Sequence, residues 1–469
     1  MSGKKPNILC IYSDEHTWNI AGCYGDPVVK TPNLDKIADG GVLFTNCYTP
    51  SPLCVPARLA FTAGQYVSKC GAYNNDCDLP SDDYPSLFHL LNSQGYECAL
   101  GGKMHYSGDK RYGFTVDLNP KWNDGKKHGR HTRVDVDSDS FKNPPNPPKL
   151  SNRYNEFRVA NESGILNHDR KVTELCGEYI KGRKKDDKPF FLLAGYLAPH
   201  FPIIIPEEYD AYKGKVSMPV IPEGLIENLP MNYKVLRRAF QMEDVPADIV
   251  KRGRELYYGF VSWLDNEIGK LIASLNDSEA ADNTIIIYTT DHGENLGEHG
   301  MWWKNNMYDH SARIPCIINF PDKRKAGSRI TKACSMLDLT QTIAEISGGR
   351  APDNWDGRSL MGLIEGSDSE WPDIAVSEYY AHNIASGHCM IRHGKYKYVY
   401  FNKINDVYPA EKQLFDIEAD PGELNDLSGR AEYAGLMGEL HAMMKKELGR
   451  DPEEVEAEIR AKMAQANLR

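Results

Sequence analysis

The chain of 469 residues predicts an α/β protein: a large, mainly parallel sheet flanked by helices, followed by a small antiparallel sheet. Three observations carry that expectation. Apolar runs end abruptly at a polar residue, as strands buried on both faces do. Helical stretches alternate with those runs, the pattern of a parallel sheet with crossover helices. From about residue 360 the texture changes to short, closely spaced β-rich segments. Length alone suggests two or more domains. The change of texture sets them at 1–358, the main α/β domain, and 359–469, a subdomain with a small antiparallel sheet and terminal helices.

In chain order, Ile8–Ser13 reads as a strand ending at Asp14. T-P-N-L-D-K-I-A-D-G-G (31–41) reads as a helix with Thr31 as N-cap, Pro32 at the first helical position and glycines as a stop. Ser86–Gln94, closed by Gly95, and Val172–Arg183 are the next helices, separated by a region, 106–160, that is rich in Pro, Lys, Asn and Asp and reads as long loops. Phe190–Leu197 is a strand ending near His200. Ala247–Leu275 is the longest helix, and Thr284–Thr290 is a strand ending at Asp291. The second sheet takes Ala375–Tyr380, Cys389–Arg392, Tyr396–Phe401 and Gln413–Asp416, and polar helices at 431–448 and 452–467 finish the chain.

Composition excludes some partners. Lys and Arg number 55 against 66 Asp and Glu, a net charge of -11, which argues against a nucleic-acid or anionic-membrane surface. Any bound anion must therefore meet a local cluster of positive groups. No apolar run approaches the length of a spanning helix. The opening M-S-G-K-K-P-N-I-L-C-I-Y-S-D lacks the pattern of a signal peptide, so the expected location is the cytoplasm, or the periplasm if an export signal has been removed. Cys is scattered, odd in number and without a C-x-x-C pair, which points to reduced, mostly buried thiols.

In parallel sheets ligands gather beyond the carboxyl ends of the strands, where Asp14, His200, Asp291 and His292 all fall. S-P-L-C-V-P-A-R-L-A-F-T-A-G-Q (51–65) adds a thiol to that address. Pro56 suits the first turn of a helix, which puts Cys54 at an N-terminus whose free N–H groups attract anions. Arg58, about one turn on, adds a permanent positive charge suited to oxyanions. On the residues alone, a low-pKa thiol nucleophile fits this spot as well.

C-V-P-A-R (54–58) resembles the C-x-P-x-R signature of type I sulfatases, in the alkaline phosphatase superfamily. Further resemblances follow in order along nearly the whole chain. Y-S-D-E-H (12–16) resembles the family's first metal strand, and residues 22–44 the segment before the signature. G-K-M-H (102–105) is similar to its G-K-x-H, and A-P-H-F-P (198–202) to its P-H-x-P. T-D-H-G-E-N-L-G-E-H-G-M-W-W-K (290–304) resembles the second metal strand with its following lysine. L-F-D-I-E-A-D-P-G-E-L-N-D-L (414–427) resembles the C-terminal sheet signature. Within the family, the stretch from Asp291 and G-K-M-H-Y are most similar to the choline-sulfatase and phosphonate monoester hydrolase branch.

The resemblance implies the alkaline phosphatase-like sulfatase fold and a sulfuric ester hydrolase. Its cysteine, here Cys54, is oxidised by a maturation enzyme to formylglycine, whose hydrated aldehyde is the nucleophile. It implies one divalent metal ion held by Asp14, Asp291, His292 and residue 54; Glu15 stands where many relatives have Asp or Gln, and its ligation stays open. An imidazole ligand brings Mn²⁺ into consideration beside Ca²⁺. Arg58 and Lys103 are implied to hold the formylglycine oxygens, His105 to be the base that regenerates the aldehyde, and His200 and Lys304 to bind sulfate and protonate the leaving oxygen. Asn75 is a candidate substrate contact; His310 either lines the pocket or packs. The basic stretch 121–133 reads first as a solvated loop, and second as a contact for a sulfated sugar acid.

The expected substrate is a small organic or carbohydrate sulfate ester. Choline sulfate is a candidate, although no quaternary-ammonium cage is legible and T-V-D-L-N-P-K-W (115–122) departs from choline sulfatases. A phosphonate monoester or phosphodiester hydrolase on the same scaffold is the alternative. A binding protein or thiol enzyme with unmodified Cys54 is another. Beyond substrate and maturation enzyme, neither nucleic acid nor membrane is expected as partner, and a homo-oligomer is compatible with the sequence.

Overall fold

The structure is a computed structural model and describes residues 4–118 and 133–465. Eight strands make the large sheet: β1 (Asn7–Asp14), β2 (Val42–Tyr48), β3 (Glu97–Gly102), β4 (Val116–Asp117), β5 (Phe190–Pro199), β6 (Thr284–Thr290), β7 (Arg313–Asn319) and β8 (Ser328–Ser335). Their order across the sheet is β8-β2-β7-β6-β1-β5-β3-β4. Every neighbouring pair runs parallel except those of β7, which is antiparallel to β2 and β6.

The centre of the sheet explains why the apolar runs are unbroken. Ile8, Cys10 and Tyr12 of β1 face one hydrophobic cluster, while Leu9 and Ile11 face the other. The first cluster is covered by α2 (Cys54–Ala63) and α5 (Met336–Ile346), through residues such as Leu59, Phe61, Leu339 and Ile343. The opposite one is covered by α3 (Gly164–Gly182) and α4 (Ala247–Asn276), through Leu166, Val172, Phe260 and Leu264. Register then delivers the site. β1 lies between β5 and β6, with Asp14 beside Pro199 and Ser13 beside Thr290. His200 and Asp291 follow those two partners directly, so the carboxyl ends of three central strands collect all three.

Two helix starts differ from expectation. The helix α1 (Pro32–Asp39) begins at Pro32 as expected, but Thr31 does not cap it through its side chain. Its hydroxyl instead donates to Asp35 Oδ1 at 3.1 Å and accepts from Gly22 N at 2.8 Å. α3 begins at Gly164 rather than Val172, with Ser163 Oγ accepting from Leu166 N at 3.1 Å as the cap. Gly164 and the polar pair His168 and Asp169 hide its apolar stripe, because that pair is itself buried.

The second sheet is antiparallel, in chain order: β9 (Ile374–Tyr379), β10 (His388–His393), β11 (Tyr396–Phe401) and β12 (Glu411–Asp416). The terminal helices are α6 (Ala434–Leu448), preceded by a 3-10 turn at Ala431–Tyr433, and α7 (Pro452–Gln465). Residues 466 and 467 of the expected last helix lie outside the described residues. Leu440, Met444 and Leu448 of α6 pack with Ile391 and Tyr398 of the small sheet, with Tyr66 just after α2 and with Leu337 of α5. Buried Lys397 on β11 pairs with Asp309 at 2.7 Å and Glu423 at 2.5 Å, tying the small sheet to the loop before β7.

The described part of 106–160 is largely irregular, with short helical turns at Asp139–Lys142 and Asn152–Glu156. Residues 121–132 of the basic stretch lie outside the described residues. Its last member, Arg133, pairs with Glu456 of α7 at 2.9 Å. No described helix is long and apolar enough to cross a membrane.

Candidate active site

Cys54 is the first residue of α2, 2 % exposed, with every other residue of that helix also buried. Its Sγ lies 3.2 Å from His292 Nε2 and 3.9 Å from Asp14 Oδ1. Val55 N donates to Asn75 Oδ1 at 3.1 Å, so Asn75 satisfies a free N–H of the first turn. Replacing it, Asn75→Ala, is expected to cost about 1 kcal/mol of stability, the usual value of a lost cap, in a denaturant titration. A change confined to KM would instead mark Asn75 as a substrate contact.

Arg58, on the same helix, is wholly buried and divides the two strand-end carboxylates. Its Nε donates to Asp291 Oδ2 and its Nη2 to Asp14 Oδ2, both at 2.9 Å. That leaves the Oδ1 atoms for the cysteine side: Asp14 Oδ1 and Asp291 Oδ1 lie 3.9 and 3.7 Å from His292 Nε2. His292 Nδ1 lies 3.0 Å from the Gly293 carbonyl, which only accepts, so Nδ1 carries a proton and the ring turns Nε2 toward the cysteine. Gly293 is required there, because a Cβ would come 2.0 Å from the His310 carbonyl oxygen.

The ligand atoms of Asp14, Cys54, Asp291 and His292 thus converge, all within 4.8 Å of one another and all buried. Two carboxylates and an imidazole suit a divalent cation. Burial, and next the charge of Asp14, push the Cys54 thiol up to about 12. Burial thus favours the protonated thiol when no cation stands beside it. Burial opposes the Asp14 charge, but Lys103, His200 and Arg58 together hold its carboxyl well below the usual range.

The positive residues surround this cluster. Lys103 Nζ sits 2.7 Å from Asp14 Oδ2, and its carbonyl accepts from Arg58 Nη1 at 2.9 Å. His105 follows in a left-handed conformation, φ 59°. Its neighbours both rest on α2: Met104 Sδ lies 3.9 Å from Arg58 Nη1, and the Tyr106 and Thr62 hydroxyls bond at 2.6 Å. On the other side, Lys304 Nζ reaches Glu15 Oε2 at 2.9 Å and His200 Nε2 at 3.0 Å. His200 Nδ1 donates to the Phe201 carbonyl, so Nε2 accepts from Lys304. Burial first, then the charge of Lys304, hold the His200 imidazole well below its usual pKa.

Two further expected site residues lie outside the four-donor cluster. Glu15 instead forms a second group with Asp14 and His200, whose ligand atoms also lie within 4.8 Å of one another; its Oε2 is 3.2 Å from His200 Nε2, and burial above all raises its carboxyl to about 8. His310 packs behind the site, with Asn19 Nδ2 3.4 Å from its Nε2 and Thr17 Oγ1 donating to its carbonyl.

The sequence reading missed two supports. Asp169 on α3 accepts from Leu197 N and Ala198 N, both at 2.8 Å, and so fixes the turn before His200. A His-Asp pair inside an otherwise amphipathic stretch is the signal that could have found it. Tyr257 on α4 donates to the Glu15 carbonyl at 2.5 Å and accepts from Thr17 N at 3.0 Å, for which the sequence carries no signal.

The family model described as Sulfatase matches residues 6–349. The chain belongs to the sulfatase family. A second model, N-sulphoglucosamine sulphohydrolase, C-terminal, matches residues 297–450 of this sulfatase. The choline-sulfatase of Rhizobium meliloti is 33% identical over 449 residues, covering 91% of this chain and 83% of its own. The N-acetylglucosamine-6-O-sulfatase of Bacteroides thetaiotaomicron is 27% identical, covering 97% and 88%. Among solved structures, the phosphonate monoester hydrolase of Agrobacterium radiobacter superposes with a TM-score of 0.73 at 23% identity, over 94% of this chain and 95% of that one, which bears on the fold. The family resemblance read from the motifs therefore holds, and this sulfatase is a sulfuric ester hydrolase.

Proposed function

We propose that this sulfatase hydrolyses the sulfate ester of a small organic or carbohydrate alcohol, using a formylglycine made from Cys54 and a divalent cation held by Asp14, Asp291, His292 and residue 54. One observation carries the reading: four buried donor side chains converge, with the Cys54 sulfur among them and Arg58 behind two of them. The Sγ atom stands where the oxygens of the hydrated aldehyde would be. That hydrate supplies the attacking hydroxyl, and the cation, when bound, polarises a sulfate oxygen. Names of relatives span choline and an amino sugar, which frames the substrate class.

The chain's own groups do the rest. Ester and water give alcohol, sulfate and one proton. Arg58 and Lys103 offset negative charge beside residue 54, as preorganised cations do in a dry site. Lys304 passes a proton toward the leaving oxygen, and the neutral His200 imidazole beside it fixes the direction of its N–H bonds. His105 removes the proton from residue 54 that lets sulfate depart.

Matched aryl esters test the reading. The matured enzyme is expected to turn over the sulfate faster than the phosphonate monoester or phosphodiester; the reverse order would replace it with the alternative hydrolase. Stripping divalent ions with a chelator is expected to cost at least about a hundredfold in kcat, the scale of one Lewis-acid contribution. Mn²⁺ is expected to restore more activity than Ca²⁺, because His292 supplies a nitrogen ligand. Full activity in protein shown to be metal-free would refute the metal site.

A further inference from the structure

Arg153 lies on the turn Asn152–Glu156, far from every motif that marks the site. Its guanidinium carbon sits 4.1 Å from the Phe201 ring centre, 4.8 Å from that of Trp303 and 5.3 Å from that of Phe240. Three aromatic faces therefore enclose one cation. The cage shares its walls with the machinery described above. The Phe201 ring stacks on His200 at 4.3 Å and carries Lys304 Nζ 5.1 Å from its centre, while Trp303 directly precedes Lys304. Tyr154 buttresses Trp303 from behind, with ring centres 5.5 Å apart.

Glu15, Glu294 and Glu156 act on this cation from a distance, but none of them is in ion-pair contact with it. Among the described residues, the Arg153 side chain makes no hydrogen bond or ion pair. Other guanidiniums beside aromatic rings do not stand alone: Arg313 over Trp18 pairs with Asp309 at 3.2 Å, and Arg183 over Phe190 with Glu97 at 2.6 Å. Burial pulls Arg153 toward the neutral form, with Glu15, Glu294 and Glu156 opposing, yet a guanidinium stays charged at any working pH. A partly buried, fixed cation with unused N–H donors is built to receive an oxyanion. Its position beside His200 and Lys304, the pair assigned to the leaving oxygen, places that oxyanion on the alcohol side of the scissile bond.

We infer that Arg153 is a specificity-determining residue that binds a second anionic group, a carboxylate or a further sulfate, on the alcohol portion of the substrate. The inference rests on the sulfatase reading of the same site. It also separates candidates: the aromatic cage that a quaternary ammonium would need already holds a positive charge, so choline sulfate is disfavoured.

The test compares kcat/KM of the matured, metal-loaded enzyme on a neutral aryl sulfate, the same ester with a carboxylate on its ring, a disulfated monosaccharide and choline sulfate. The acid-bearing or disulfated ester is expected to be preferred, and the two arms show which anion is the better fit. In Arg153→Met the ratio of anionic to neutral kcat/KM should fall about ten- to a hundredfold, the range of a charge-assisted hydrogen-bond pair. Arg153→Lys should recover part of that ratio. Calorimetric binding of 4-hydroxybenzoate against phenol supplies a readout independent of turnover and should show the same loss of preference in Arg153→Met. An unchanged ratio, or choline sulfate as the preferred ester, overturns the inference while sulfate-ester turnover continues; absence of all sulfate turnover overturns the sulfatase reading instead, and equal binding of the two phenols then overturns the role of Arg153 separately.

Discussion

Cys54→Ala protein, made in a host that matures sulfatases, is expected to lose about 10⁴- to 10⁶-fold in kcat on a sulfate ester, the loss seen when the nucleophile of a covalent catalyst is removed. The geometry explains why no neighbour can take over. Asp14 and Asp291 have their Oδ2 atoms on Arg58, His292 has its proton on the Gly293 carbonyl, and Lys304 is a cation. None of them offers a hydroxyl. The change itself is small in volume and sits at the first residue of α2, so the fold should survive it, which circular dichroism checks. Peptide mass spectrometry of the parent protein should find an aldehyde at position 54. Undiminished hydrolysis by the alanine variant would sink the proposed chemistry.

The second large effect concerns stability as well as rate. In Arg58→Met, two fully buried carboxylates lose their shared partner. Breaking a buried ion pair from one side costs about 3–5 kcal/mol, because the remaining charge is stranded. Lys103 still reaches Asp14 at 2.7 Å, but Asp291 is left with neutral donors, the backbone N–H groups of Glu15 and His292 at 3.1 and 3.0 Å. Urea denaturation of metal-free protein should show the full cost. Divalent ions should return part of it, since the proposed cation would face the same two carboxylates. The rate on sulfate esters should fall about 10²- to 10³-fold, as for one lost oxyanion-stabilising donor. A metal-free variant within about 1 kcal/mol of the parent would show that Arg58 is not what holds the pair.

Legibility followed burial. β1, β5 and β6 are covered on both faces, so their sequences are unbroken apolar runs that stop at Asp14, near His200 and at Asp291. β8 escaped notice because it lies at the sheet edge; S-R-I-T-K alternates between half-buried and exposed before the buried A-C-S. β2 and β7 drew no strand reading, since Thr45, Asn46 and Pro315 interrupt their patterns. The site was legible wherever chemistry and strand end coincide, as for Asp14, Asp291 and His200. It was illegible wherever the partner comes from a distant element. The cage around Arg153 draws Phe201, Phe240 and Trp303 from three segments, and no local pattern announces that they meet.

Because all ten residues of α2 are buried, another protein can reach the Cys54 sulfur only on a chain that has not yet closed around it. The oxidation proposed here therefore has a deadline set by folding speed. Purified thiol protein mixed with a maturation enzyme should remain inactive, whereas both produced together should yield active enzyme. In heterologous expression, the yield of working protein would then track how quickly the unfolded chain is intercepted rather than how much folded material accumulates.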